Sequence, residues 1–179
     1  MSRGSGHTVV QIPVREAETI VRRRALASGS PFQPQDGGIL AHITLLGPFI
    51  PEPDIDDGVL GDLERYFADV TTFGFTLSGV SEFPGGPTYL VPEPGGVFRR
   101  LTLGLLRAFP EFPPYGGAFD DVVPHLSVPA VDGEDTEAMR VDLERRLPIE
   151  AVAHTATLVR VAEGDTRTLA EFPFGTTAA

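Results

Sequence analysis

Apolar residues along this chain switch repeatedly between a period near two and a period near four, and each switch marks a change of element. His7 to Ile12 reads as a short strand. Pro13 then opens a helix running to about Ala27, with Glu16 and Glu18 in its first turn and Arg22, Arg23 and Arg24 near its end. That charge order suits the helix dipole, and Gly29 supplies the stop. Ile39 to Leu46 is a strand closed by Gly47-Pro48. Val59, Leu60, Leu63 and Phe67 recur at helical spacing and predict a second helix over Gly58 to Ala68. Phe73, Phe75 and Leu77 alternate with small or polar residues, as on a half-buried strand, with Thr88 to Val91 as the expected partner. Phe98, Leu101, Leu105 and Leu106 mark a third helix, followed by a Pro- and Gly-dense loop from Pro110 to Gly117. Val122 to Val128 reads as a strand, Thr136 to Leu147 as a fourth helix, and Glu150 to Val161 as one or two strands. Leu169 to Phe174 is expected as a final edge strand.

A coarse repeat runs through this order. Each half has a helix, an apolar strand, a second helix and then more strand; a shift of 83 residues (125 − 42) carries Phe73–Leu77 onto 156–160. Residue identity between the halves is poor, so the repeat rests on element order. It predicts two similar α+β lobes within a single domain spanning 1–179, each with a small, largely antiparallel sheet.

Composition narrows the chemistry. Hydrophobic content of 41% and charged content of 22% are ordinary for a folded globular chain. No apolar run approaches the ~20 residues of a membrane span, and Met1 to Thr8 has no signal-peptide core, so cytoplasmic residence is expected. Cysteine is absent, which removes disulfides, thiol nucleophiles and zinc-thiolate sites. The 14 cationic residues are all Arg and face 25 acidic ones, for a net charge of −11. A body of that sign does not wrap a long nucleic acid, which needs Lys and Arg along its phosphates. A small nucleotide, or an RNA gripped only at its end, remains compatible.

Two tetrapeptides stand out against this background: His42-Ile43-Thr44-Leu45 and His125-Leu126-Ser127-Val128. Residues i and i+2 of a strand share a face, so each segment presents an imidazole beside a hydroxyl. If the lobes face each other, two imidazoles and two hydroxyls converge. A neutral imidazole can take a proton from an attacking water or hydroxyl while an imidazolium protonates the leaving oxygen. Thr44 and Ser127 can donate hydrogen bonds to non-bridging phosphate oxygens, where charge develops. Such chemistry needs no metal and no cofactor. The spacing alone is a weak signal, and strand histidines satisfied by backbone partners are the competing reading. Strand context and matching positions in the repeat strengthen the catalytic one.

These segments resemble the twin signatures of the two-histidine (2H) phosphoesterases, the superfamily that includes bacterial 2′-5′ RNA ligases and cyclic phosphodiesterases. The likeness extends to Gly47-Pro48-Phe49 and to Phe112-Pro113-Pro114-Tyr115-Gly116-Gly117, and covers roughly Val9 to Phe174. It implies a bilobal α+β fold, with pseudo-symmetric antiparallel sheets facing a central cleft and helices outside. It also implies metal-independent action on 2′,3′-cyclic phosphates, 2′-5′ linkages or related nucleotide and RNA-end esters, with His42 and His125 catalytic and Thr44 and Ser127 on the phosphate. The acidity favours the hydrolase over the ligase. The alternative is a non-catalytic nucleotide- or RNA-end-binding module of the same fold, and a monomer is expected.

Other candidates are weaker. Tyr115 could reach the cleft rim to stack on a base, and Phe49 could serve as a stacking platform, with core packing as the competing role. Arg99 and Arg100 fit a solvated helix face, and His7 and His154 lack the following hydroxyl. Glu52 to Asp57 has no calcium-loop spacing. Gly85-Gly86 and Gly95-Gly96 lack the Lys-Ser/Thr ending of a phosphate loop and read as turns.

Overall fold

The strand periodicity resolves into two four-stranded sheets. A computed structural model of the protein describes residues 6–118 and 121–175; residues 1–5, part of the polar N-terminal stretch, lie outside these. The strands are β1 (His7–Pro13), β2 (His42–Leu46), β3 (Phe73–Glu82), β4 (Thr88–Glu93), β5 (Leu126–Val128), β6 (Ile149–Ala153), β7 (Thr155–Val161) and β8 (Arg167–Pro173). The helices are α1 (Glu18–Ala27), α2 (Asp57–Ala68), α3 (Gly96–Ala108) and α4 (Thr136–Glu144). Sheet one has the order β2-β1-β7-β8 and sheet two the order β5-β4-β3-β6. Every ladder is antiparallel.

The repeat is present, but its halves exchange strands. β1 and β2 correspond to β4 and β5, each pair an inner strand followed by a motif strand at the sheet edge. β3, from the first half, leaves to pair with β4, and β7, from the second half, leaves to pair with β1. The lobes are therefore not the two halves of the sequence. Glu150 to Val161 proves to be two strands in different sheets, parting at His154.

Several boundaries moved for identifiable reasons. β1 runs through Pro13, and α1 begins only at Glu18 after a 3₁₀ turn over Arg15–Ala17. Gly29 stands at φ 66°, a conformation that favours glycine, just past the end of α1. β2 starts at His42 rather than Ile39, because the N–H groups of Leu40 and Ala41 donate to Glu18 instead of to a ladder. β5 is only Leu126–Val128, with Pro124 unable to donate upstream. α2 and α4 are each started by an aspartate, Asp56 and Asp135, whose side chain accepts from the third residue on.

Alternation decides which face is buried. Ile12, Ile43, Leu45, Leu158 and Phe172 of sheet one join Leu77, Leu90, Leu126 and Ala151 of sheet two in one hydrophobic core. α3 packs on β2, α2 on β8 and α4 on β3. The Thr102 hydroxyl of α3 donates to the carbonyl of Leu45 (2.8 Å), tying that helix to the first motif strand. Among the described residues, no helix is long and apolar enough to cross a membrane.

Candidate active site

With Ile43 and Leu45 in the core, His42 and Thr44 point to the opposite face of β2 and are half-buried. The same parity puts Leu126 and Val128 inside and leaves His125 half-buried and Ser127 exposed. The two motif strands, each at a sheet edge, pack against one another. His42 and Ser127 line one cavity of about 450 Å³ together with Leu40 and Thr88, with Glu82 and Glu134 contributing carboxylates. Among the described residues, neither the Thr44 nor the Ser127 hydroxyl is engaged by a protein partner.

Both histidines are held in the same way. Nδ1 of His42 lies 2.7 Å from the carbonyl oxygen of Leu40, and Nδ1 of His125 lies 2.7 Å from that of Val123. A carbonyl can only accept, so Nδ1 carries the hydrogen and Nε2 is the basic atom of each neutral ring. The surroundings differ. Glu18 accepts from the N–H groups of Leu40 (2.9 Å) and Ala41 (2.8 Å) and from Arg22 Nε (2.6 Å), fixing the backbone just before His42. His125 is packed among aromatic rings: Phe83 (centroids 4.9 Å apart) and Tyr89 (5.5 Å) edge to face, and Tyr115 (6.2 Å) stacked.

Charge completes the asymmetry. Burial holds the His42 imidazole below its ordinary value of 6.5 by disfavouring the charged form, and positive charge on His125 acts in the same direction. The Leu40 carbonyl and the Glu18 carboxylate pull the other way without reversing the sign. Burial likewise raises the Tyr115 phenol above its usual 10.0.

Tyr115 stands beside His125, with its backbone N–H donating to the Gly47 carbonyl (2.8 Å) and φ at 53°. Phe49 is not. It is 4% exposed and wedged edge-on against Phe109 (5.0 Å) and Phe112 (5.5 Å), so it has no face for a base. Arg99 is paired with Asp121 (2.5 Å) on the surface. Among the described residues, no three His, Asp or Glu side chains are grouped to hold a metal.

The sequence matches the 2′-5′ RNA ligase superfamily over residues 12–165, a span that takes in both histidine motifs. The chain belongs to that family. It is a family of enzymes, phosphoesterase and RNA ligase-like. Solved structures share the fold at low identity. TT0787 of Thermus thermophilus superposes with a TM-score of 0.66 at 18% identity, over 96% of this chain and 100% of that one. E. coli LigT in complex with 3′-AMP gives 0.57 at 15% identity, over 94% and 98%. LigT in complex with NADP+ gives 0.57 at 16%, over 96% and 99%. No curated protein matches the chain in sequence.

Sequence reasoning did not bring three residues to the histidine motifs: Glu18 beside His42, and Phe83 and Tyr89 beside His125. Tyr89 fell within the expected Thr88–Val91 strand, but its pairing with Ser127 is seen only in the structure.

Proposed function

We propose that the protein is a metal-independent phosphoesterase that opens 2′,3′-cyclic phosphates of small nucleotides or RNA ends, or cleaves related 2′-5′ linkages, with His42 and His125 as its acid–base pair. The observation that carries this reading is the matched anchoring of the two imidazoles. Each is fixed through Nδ1 to the carbonyl two residues upstream and followed at i+2 by an unengaged hydroxyl. His42, disfavoured as a cation, takes the proton from the attacking water as the P–O bond to that water forms. His125 gives a proton to the ribose oxygen as its bond to phosphorus breaks. Thr44 and Ser127 donate to the non-bridging oxygens, whose charge grows in the transition state. Among the described residues the cavity beside His42 is lined by carboxylates and no arginine, which favours a compact ester over a polyanion. The 3′-AMP of one LigT complex is an ester of that size.

The direct trial incubates purified protein with cyclic nucleotides and short 2′-5′ and 3′-5′ oligonucleotides in EDTA. The expected result is ring opening of a cyclic phosphate at an unchanged rate. Activity lost to EDTA and restored by Zn²⁺ or Mn²⁺ would reverse the metal-independent assignment. Binding without turnover of any substrate would leave a nucleotide- or RNA-end-binding module.

Glu18 acts through His42. Glu18→Ala is expected to lower turnover by on the order of 10–10²-fold, the scale of a misplaced catalytic group. Because the carboxylate supports the protonated ring, its loss should also move the acidic limb of the rate profile to lower pH. Wild-type turnover with an unmoved limb would reduce Glu18 to a structural brace.

A further inference from the structure

Two polar side chains lie on the site-bearing face of sheet one, where apolar residues would pack more cheaply. Gln11 of β1 is 3% exposed and Thr157 of β7 is 6% exposed. Gln11 Oε1 and Thr157 Oγ1 are both enclosed, and neither has a hydrogen-bond partner. Enclosed polar groups are nearly always partnered, so an orphaned pair calls for a cause.

The ladders say where the pair points. Gln11 stands opposite Thr44 of β2 on one side and opposite Thr157 of β7 on the other. Cross-strand partners project from the same face, so Thr44, Gln11 and Thr157 form one polar row, with His42 next to it along β2. Strands are spaced at ~4.8 Å, which puts Gln11 one step and Thr157 two steps from the Thr44 hydroxyl. A bulge between Val10 and Gln11 interrupts the β1–β2 ladder at this point, a device that re-aims side chains beside functional sites.

We propose that Gln11 and Thr157 form a sugar-hydroxyl subsite beside the phosphate position, reading the ribose hydroxyl left free next to a 2′-5′ diester or a nucleoside monophosphate. The proposal rests on the phosphoesterase reading above. An amide offers one acceptor and two donors, and a threonine hydroxyl can do either. The pair carries no charge with which to meet a phosphate, but it matches a ribose hydroxyl, which also donates and accepts. The terminal torsion of glutamine is broad, so a turn of the amide exchanges the end it presents. Without ligand, the polar pair weakens the fold; with a ribose hydroxyl in place, it is satisfied.

The test is calorimetric titration with adenosine 3′-monophosphate, 2′-deoxyadenosine 3′-monophosphate and inorganic phosphate, alongside thermal melting. The wild-type protein is expected to bind the ribonucleotide roughly 10-fold more tightly than its deoxy analogue, the scale of one satisfied hydrogen bond. Gln11→Met should bring the two nucleotides to parity, leave phosphate binding unchanged and raise the melting temperature. Thr157→Val, isosteric, should narrow the discrimination in the same direction and serves if the methionine variant does not fold. Equal wild-type affinity for the two nucleotides, or discrimination that survives both substitutions, would overturn the subsite and leave an enclosed bridging water as the satisfier of both groups. A wild-type protein that binds neither the nucleotides nor phosphate would remove the phosphoesterase reading, and the subsite with it.

Discussion

Replacing His125 by alanine is expected to cut the rate on a cyclic nucleotide phosphodiester by on the order of 10²–10⁴-fold, and His42→Ala by a similar factor. On the proposed mechanism each ring supplies one proton transfer that water cannot replace at comparable geometry. Each is also pre-aimed by the 2.7 Å contact from Nδ1 to a backbone carbonyl, so the loss includes positioning. Thr44→Ala and Ser127→Ala should cost less, since each removes one donor to phosphate and leaves both imidazoles in place. A folded His125→Ala protein with wild-type turnover would end the two-histidine mechanism.

The same pair fixes the shape of the pH response. One imidazole must be neutral and the other charged, so the rate should describe a bell whose limbs belong to the coupled pair. With His42 as base, held below 6.5 by burial, the active fraction falls only as the pH drops below that ordinary value. Stability carries the same sign. The unfolded chain binds the His42 proton more tightly than the folded one, so His42's contribution is full above 6.5 and is lost as the pH falls through the lower folded value. His42→Ala should flatten that part of the stability curve.

The readable parts of this molecule were those that depend on local period. Alternation put His42 and Thr44 on one face of their strand, and in the structure that face is the one opposite the buried Ile43 and Leu45. Helical spacing of Leu63 and Phe67 placed both inside. Period says which face of a strand is buried, not which sheet the strand joins. The exchange of β3 and β7 between halves was therefore invisible, although the 83-residue shift had already overlaid them. Glu18 reaches Leu40 and Ala41 across 22 and 23 residues, a contact that exists only once α1 has docked. Phe83 follows a strand and precedes a turn, where nothing local ties it to His125. Phe49 was ambiguous because its flanks, Pro48 and Ile50, do not extend the strand alternation; the Phe109 and Phe112 rings that enclose it arrive from beyond α3.

Phe67→Ala is expected to destabilise the protein by about 3–5 kcal/mol, the range for truncating a fully buried phenylalanine. The ring has no exposed surface and lies at the start of an aromatic chain that joins both sheets. From α2 it stacks on Phe172 of β8 (5.8 Å) and on Phe174 (5.7 Å), which stacks in turn on Phe73 of β3 (6.2 Å). Phe73 then meets Phe98 of α3 edge to face (5.4 Å). Phe67 itself meets Tyr66 of its own helix and the two rings at the end of β8, and through Phe174 the chain reaches sheet two. None of these rings touches His42 or His125, so the folded variant should keep wild-type affinity for a nucleotide while its urea midpoint falls. A loss below about 1 kcal/mol would mean that the cavity collapses freely and that this aromatic chain does not join the sheets.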